Sequence, residues 1–249
     1  MALLVSCVSP PATQPPVHVL ISGGFSGPYE RLVPEFERST GLKVITASGA
    51  SQGTGPQTIA SQLERGVPAD VVILSRQGLA QLIQAGRIAP GTDVDLARTP
   101  LGVAVRAGAP KPRVRTVEEF KSLMLNASVV AVPGSTSGIF LANEVFPRLG
   151  LAGKVHLQST PRGTEAVALV AAGKADVAVM PVSEIVHAPG VELAGVIAEE
   201  IQLNQVFSAA VTATSNAGGS AKRLIAFLAS AAARDEIARS GMDPPGGVR

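Results

Sequence analysis

Tryptophan is absent from the 249-residue chain, tyrosine occurs once, at Tyr29, and aromatic residues make up only 3% of it. Binding bases or sugars by stacking needs aromatic platforms, so this composition disfavours it. The single cysteine, Cys7, can support neither an internal disulfide framework nor a cysteine-rich metal site. His18, His156 and His187 are scattered, with no i, i+4 pair and no carboxylate at metal-ligand spacing. Neither a metal nor a cofactor is therefore expected. Charged residues are 16% of the chain and the net charge is +2, without the basic excess of a nucleic-acid binder. No nucleic-acid partner is expected. No uninterrupted run of about 18 apolar residues occurs, so no membrane span is expected.

What remains is a globular composition, 46% hydrophobic, with 26 glycines and 19 prolines to punctuate it. The length exceeds a typical domain of about 100–150 residues, which permits one large α/β domain or two lobes. Residues 1–16 read as a Pro-rich tether or the remnant of an export signal. Leu4-Val5-Ser6-Cys7 has the form of a lipoprotein cleavage site, but a basic start and the usual apolar stretch do not precede it. Periplasmic or lipid-anchored placement is the expectation, with Cys7 as the candidate anchor.

Apolar runs at Val17–Ile21, Val71–Leu74, Leu101–Arg106 and Val129–Val132 read as buried strands. Between them, Tyr29, Leu32, Val33 and Phe36 recur at helical spacing, Pro34 should kink that helix, and Gly41 should stop it. Lys43–Ala47 returns as a strand, and helices are expected over residues 58–65, 77–85 and 117–125. Alternation of this kind argues for a parallel-rich α/β architecture. Glu64 to Ile73 also echoes Ala172 to Val179, each ordering a helix end, a glycine, an Ala-Asp pair and a β-branched strand. That repeat suggests two similarly built lobes with a cleft between them.

Candidate binding groups lie in Ser/Thr/Gly-rich loops between strands and helices: residues 22–27, 51–58, 75–76, 135–138 and 162–164. Helix starts favour anions, and open α/β sheets bind ligands beyond the carboxyl ends of their strands. Hydroxyls there serve equally well as N-caps. Gly24, Ser26, Thr54, Gly55, Ser135, Ser137, Gly163 and Ser183 are the uncharged candidates. Arg76, Arg98 and Arg162 are the cationic ones, since a guanidinium at a strand end suits a carboxylate. The competing reading of Arg76 is an ion pair with Asp70, Asp93 or Asp95. Gly23-Gly24-Phe25-Ser26-Gly27 has neither G-x-G-x-x-G spacing nor a following Gly-Lys-Ser/Thr, which excludes dinucleotide and P-loop sites. Gly134-Ser135-Thr136-Ser137-Gly138 sets its serines at the wrong offset for a nucleophile elbow.

The order strand, Gly/Ser loop, Leu32-Val33-Pro34-Glu35-Phe36-Glu37, Thr40-Gly41 and Glu64-Arg65-Gly66-Val67-Pro68-Ala69-Asp70 resembles bacterial extracellular solute-binding proteins of the molybdate-binding type. The likeness runs over about residues 17–245. Ile73-Leu74-Ser75-Arg76, Gly102 to Pro112, Ser183-Glu184-Ile185, Ala226-Phe227-Leu228 and Gly241-Met242 fit a branch that also resembles aconitate isomerase. The resemblance implies a type II periplasmic-binding-protein fold, α/β throughout, with a ligand cleft between two lobes that close by a hinge. Lobe one would comprise residues 17–107 and 206–249, and lobe two residues 108–205.

It also implies capture of a small anion by a monomer and its delivery to the permease of an ABC transporter. Gly24, Gly55-Pro56-Gln57 and Pro181 stand where the molybdate binders carry hydroxyl donors, which favours an organic carboxylate over a tetrahedral oxyanion. Arg76 is the expected carboxylate partner. The alternative is an isomerase that moves a proton on a small unsaturated polycarboxylate, with Glu184 as the general base.

Overall fold

The computed structural model describes residues 14–245; Cys7 and most of the Pro-rich tether lie outside the described residues. In chain order the first part contains β1 (Val17–Ile21), α1 (Ser26–Thr40), β2 (Val44–Ser48), α2 (Ile59–Glu64), β3 (Val71–Ser75), α3 (Arg76–Gln84) and β4 (Val94–Thr99). The second contains β5 (Leu101–Arg106), α4 (Val117–Asn126), β6 (Val130–Pro133), α5 (Thr136–Phe140), α6 (Phe146–Arg148), β7 (Leu157–Thr160), α7 (Gly163–Ala171), β8 (Val177–Pro181) and β9 (Val191–Val196). The chain then returns as β10 (Gln205–Val211), α8 (Gly218–Leu228) and α9 (Arg234–Arg239).

Two five-stranded sheets result, ordered β2-β1-β3-β10-β4 and β7-β6-β8-β5-β9. In each, three parallel strands are joined by a fourth that runs antiparallel and carries the fifth on its far side. Every residue of β3 and β8 is buried, as expected for strands covered on both faces. Val19, Ile21 and Ile73 face one core with Leu32 and Phe36 of α1, while Leu20, Val72 and Leu74 face another with Leu79 and Leu82 of α3. The second sheet repeats this sandwich, with Val130 and Val132 on one side and Ala131 on the other.

Helix α1 continues through Pro34; Pro34 and Glu30, whose carbonyl loses its partner, both sit on the exposed face, where water can replace the bond. One expectation needs correction, and one strand is new. Strand β5, assigned above to lobe one, pairs with β8 and β9 in the second sheet, so the chain changes sheets at Pro100 rather than after residue 107. Strand β4 was not anticipated at all: Asp95 and Arg98 interrupt its apolar pattern, as an edge strand allows.

The Ala-Asp echo has a structural explanation. The Asp70 carboxylate accepts the His18 N–H at 2.9 Å, and its own N–H donates to the His18 carbonyl at 2.7 Å. Asp176 accepts the N–H groups of Ser128 and Val129 at 2.6 and 3.0 Å and donates to the Val129 carbonyl at 3.0 Å. Each aspartate fastens the third strand of its sheet to the start of the first. Between the lobes, Gln202 ties the two crossovers together: it accepts the Leu101 N–H at 2.6 Å and donates to the carbonyls of Leu101 and Ile197. Among the described residues no helix is long and apolar enough to cross a membrane.

Candidate functional site

The strand ends of both sheets face each other across a narrow cleft. The first lobe contributes Ser22, Gly23 and Gly24 after β1, Gly49 to Ser51 after β2, and Gln205 and Phe207 from β10. The second contributes Pro133, Ser135 and Ser137 around the β6–α5 junction, Pro161 to Gly163 before α7, and Glu184 after β8. This is where the βα connections of parallel strands must converge, so the fold itself places the site.

Glu184 occupies the middle of the cleft, in a short 3-10 turn formed by Val182–Glu184. Its carboxylate lies between a glycine of each lobe. A Cβ on Gly23 would sit 2.6 Å from Oε2, and one on Gly163 would be closer still. With the carboxylate in this place both walls are bare backbone, and a side chain on either glycine would push it aside. The carboxylate is partly reachable from the cleft, and among the described residues no hydrogen bond or ion pair meets it. Desolvation pushes its pKa up to about 7. A carboxyl titrating near neutrality can hold or release a proton at little cost, as a general acid or base requires.

Arg162, the N-cap of α7, is the one cation lining the cleft among the described residues. Its Nε lies 3.4 Å from Glu165 Oε1, with both side chains 41% exposed, so that pair is weak and easily exchanged for a ligand carboxylate. Gly163 and Thr164 follow with helix-start N–H groups. Ser135 and Ser137 complete the second-lobe wall.

Gly24 has a different role from the one its position suggests. The Phe207 ring lies against its Cα so closely that no side chain fits there. A serine hydroxyl at this point is excluded by packing as well as by sequence. Ser183 spans the lobes, its hydroxyl donating to the Gly24 carbonyl at 2.8 Å and its N–H to Thr99 Oγ1 at 3.3 Å. A second bridge runs through buried hydroxyls. Ser51 Oγ accepts the Ser75 N–H at 2.9 Å, Ser75 Oγ lies 2.7 Å from Thr136 Oγ1, and Thr136 donates to Gln52 Oε1 at 2.8 Å. Because the only hydroxyl proton of Thr136 goes to Gln52, Ser75 must be the donor to Thr136. The lobes are closed on each other.

The other candidates are placed elsewhere. Arg76 pairs with Asp93 at 2.7 Å and Asp95 at 2.9 Å, and its pKa is raised, chiefly by the hydrogen bond to Asp93. It clamps β4 to α3 outside the cleft lining, in the ion pair that was the alternative reading. Arg98 pairs with Asp243 at 3.6 Å, also outside the lining. Thr54 and Gly55 lie on an exposed loop, and Ser26 donates to the Gly23 carbonyl at 2.8 Å, shaping the turn behind the cleft. Gly24, Ser135, Ser137, Arg162, Gly163 and Glu184 are brought together, and Ser183 stands at their edge. Gln205 and Phe207 were not anticipated, and Ser22 was seen only as part of a glycine loop. A glutamine opening an apolar strand was the available signal for Gln205.

Comparison with known proteins agrees with this architecture. A family model described as bacterial extracellular solute-binding protein matches residues 17–243. A curated Pseudomonas protein named aconitate isomerase is 35% identical over 246 residues, covering 98% of this chain and 94% of the relative. The periplasmic molybdate-binding protein of Azotobacter vinelandii superposes with a TM-score of 0.73 at 21% identity, over 92% of this chain and 99% of that one. The sulfate-binding protein SubI of Mycobacterium tuberculosis superposes at 0.69 with 23% identity, over 92% and 86%. The fold is that of the type II periplasmic binding proteins.

Proposed function

We propose, given that this chain belongs to the bacterial extracellular solute-binding protein family, that it captures a small organic anion bearing carboxylates and delivers it to an ABC importer. The observation that carries this reading is the chemistry of the cleft. It has one weakly held guanidinium, a helix start and scattered hydroxyls, but a Phe207 ring where a hydroxyl at Gly24 would have to stand. Arg162 can meet a planar carboxylate through two parallel bonds. A tetrahedral oxyanion, needing donors on every side, would be left under-satisfied. Calorimetric titration with cis-aconitate, citrate, sulfate and molybdate tests the reading. Binding of the carboxylates, with weak or no binding of molybdate, supports it; tight molybdate binding without any carboxylate response refutes it.

A second reading is favoured by Glu184 in particular. An unpaired carboxylate facing an anion site is a poor choice for binding alone, yet it suits proton transfer at a carbon next to a carboxylate. On this reading the closed lobes exclude water, Arg162 holds a carboxylate of the substrate, and Glu184 removes a proton from one carbon and returns it to another. The resemblance to the Pseudomonas enzyme supports it. Absorbance change on mixing the protein with cis-aconitate distinguishes the two: turnover establishes the isomerase, and binding without turnover leaves the transport reading.

A further inference from the structure

Among the described residues only two buried side-chain atoms lack a hydrogen-bond partner, Ser22 Oγ and Gln205 Oε1, and both line this one cleft. Their residues are 4% and 3% exposed. Buried polar atoms are almost always paired, and each exception calls for a reason. Looseness is not the reason here. The Ser22 N–H is held by the Ile73 carbonyl at 2.8 Å, and Gln205 pairs with Thr99 in the β10–β4 ladder. Two strand ends thus carry an unpartnered hydroxyl and an unpartnered amide oxygen in the cleft lining they share with Glu184.

We infer that Ser22 and Gln205 form a subsite that grips one carboxyl group of the ligand from the first-lobe side, opposite Arg162. This rests on the carboxylate reading of the cleft. The serine hydroxyl supplies one donor. The amide supplies a second by a half-turn about its last torsion, which exchanges its oxygen for its NH2 group. Two donors serve the two oxygens of a carboxylate, and an un-ionised carboxyl is matched instead by the amide in its other orientation. The Phe207 ring against the bare Gly24 adds a flat apolar wall, suited to a planar group. On this account the free protein tolerates two orphaned atoms because the ligand satisfies them.

The account predicts opposite effects on stability and on binding, which a purely structural role would not give. Ser22→Ala, Gln205→Met and the double variant would be compared with the parent by thermal melting without ligand and by calorimetry with cis-aconitate. Each single variant should melt no lower than the parent, since an orphaned polar atom has been removed, and should bind about tenfold or more weakly. The double variant should lose less than the sum, because both residues serve one group. Unchanged affinity in both single variants, or a fall in melting temperature alongside the fall in affinity, overturns the subsite while the parent still binds. If the parent gives no heat with cis-aconitate, citrate or tricarballylate, the carboxylate reading itself fails, and the subsite with it.

Discussion

The two lobes are the same framework furnished differently. Both order their strands alike, both insert an antiparallel fourth strand from a distant part of the chain, and both fasten the third strand to the first with an aspartate. At the cleft the likeness stops. The first lobe offers bare glycine backbone, an aromatic ring and two unsatisfied neutral groups; the second offers the ionisable ones, Glu184 and Arg162. The repeated parts are those that hold strands in register, whereas the loops at the strand ends, free of that duty, carry the chemistry.

The largest expected effect falls on the second lobe. If the protein is an isomerase, Glu184→Gln should lower turnover by about a hundredfold to ten-thousandfold while leaving binding measurable. The same variant checks the electrostatics without any substrate. A carboxyl whose folded pKa is about 7 binds its proton more tightly than the unfolded chain does. Its contribution to stability is therefore greatest at acid pH and is lost as pH rises from the ordinary carboxylate range to about 7. Glu184→Gln should raise the melting temperature at pH 8 and leave it nearly unchanged at pH 4.5; equal shifts at both would contradict the burial argument.

The corresponding test in the first lobe is steric. Gly24→Ser drives a side chain into the Phe207 ring and should destabilise the protein by about 1–3 kcal/mol, measured by chemical denaturation. Adding Phe207→Ala reopens the space, so the pair should be less than additive in its damage. Full additivity would mean that the ring does not control this position.

The aspartates compare the frameworks directly. Asp70 is buried, and although burial alone would raise its pKa, the His18 N–H, the Ser215 hydroxyl and the Ala217 N–H together hold it below the usual value. Its stabilisation is thus present above the ordinary aspartate pKa and lost as pH falls through the lower, folded-state value. Asp70→Ala should cost about 1.5–3 kcal/mol at neutral pH. The exposed Asp176 makes analogous bonds in water, and Asp176→Ala should cost only about 1 kcal/mol. Equal losses in urea titrations would show that burial adds nothing to this fastening. The smallest effect on binding is expected for Arg76→Ala, since that guanidinium is already satisfied by Asp93 and Asp95 outside the cleft; Arg162→Ala should weaken carboxylate binding clearly by comparison, and a reversed order in calorimetry would restore Arg76 to the site.

What was legible in the sequence was local. The apolar runs of β1, β3 and β6, the glycine end at Gly41 and the Ala-Asp echo depend on near neighbours, and they were readable. Whether Leu101–Arg106 joins one sheet or the other is decided by β8 and β9, some 75 residues and more away, and no periodicity encodes it. The same holds for the arginines. Arg76 looks like a ligand group at a strand end until β4 brings Asp93 and Asp95 beside it. Gln205 and Ser22 acquire meaning only from the partners they lack, which is a property of the packed interior.

One measurement bears most directly on the claim that an anion sits against Glu184 in the closed cleft. Affinity for cis-aconitate would be followed by calorimetry from about pH 7 to 9, where the ligand is fully ionised. A bound carboxylate disfavours the charged form of Glu184, so binding should take up a proton and weaken as pH rises, by up to about tenfold per pH unit. Glu184→Gln should abolish that slope. Affinity that is flat with pH in the parent, or a slope that survives in the variant, would contradict the placement of the ligand at Glu184.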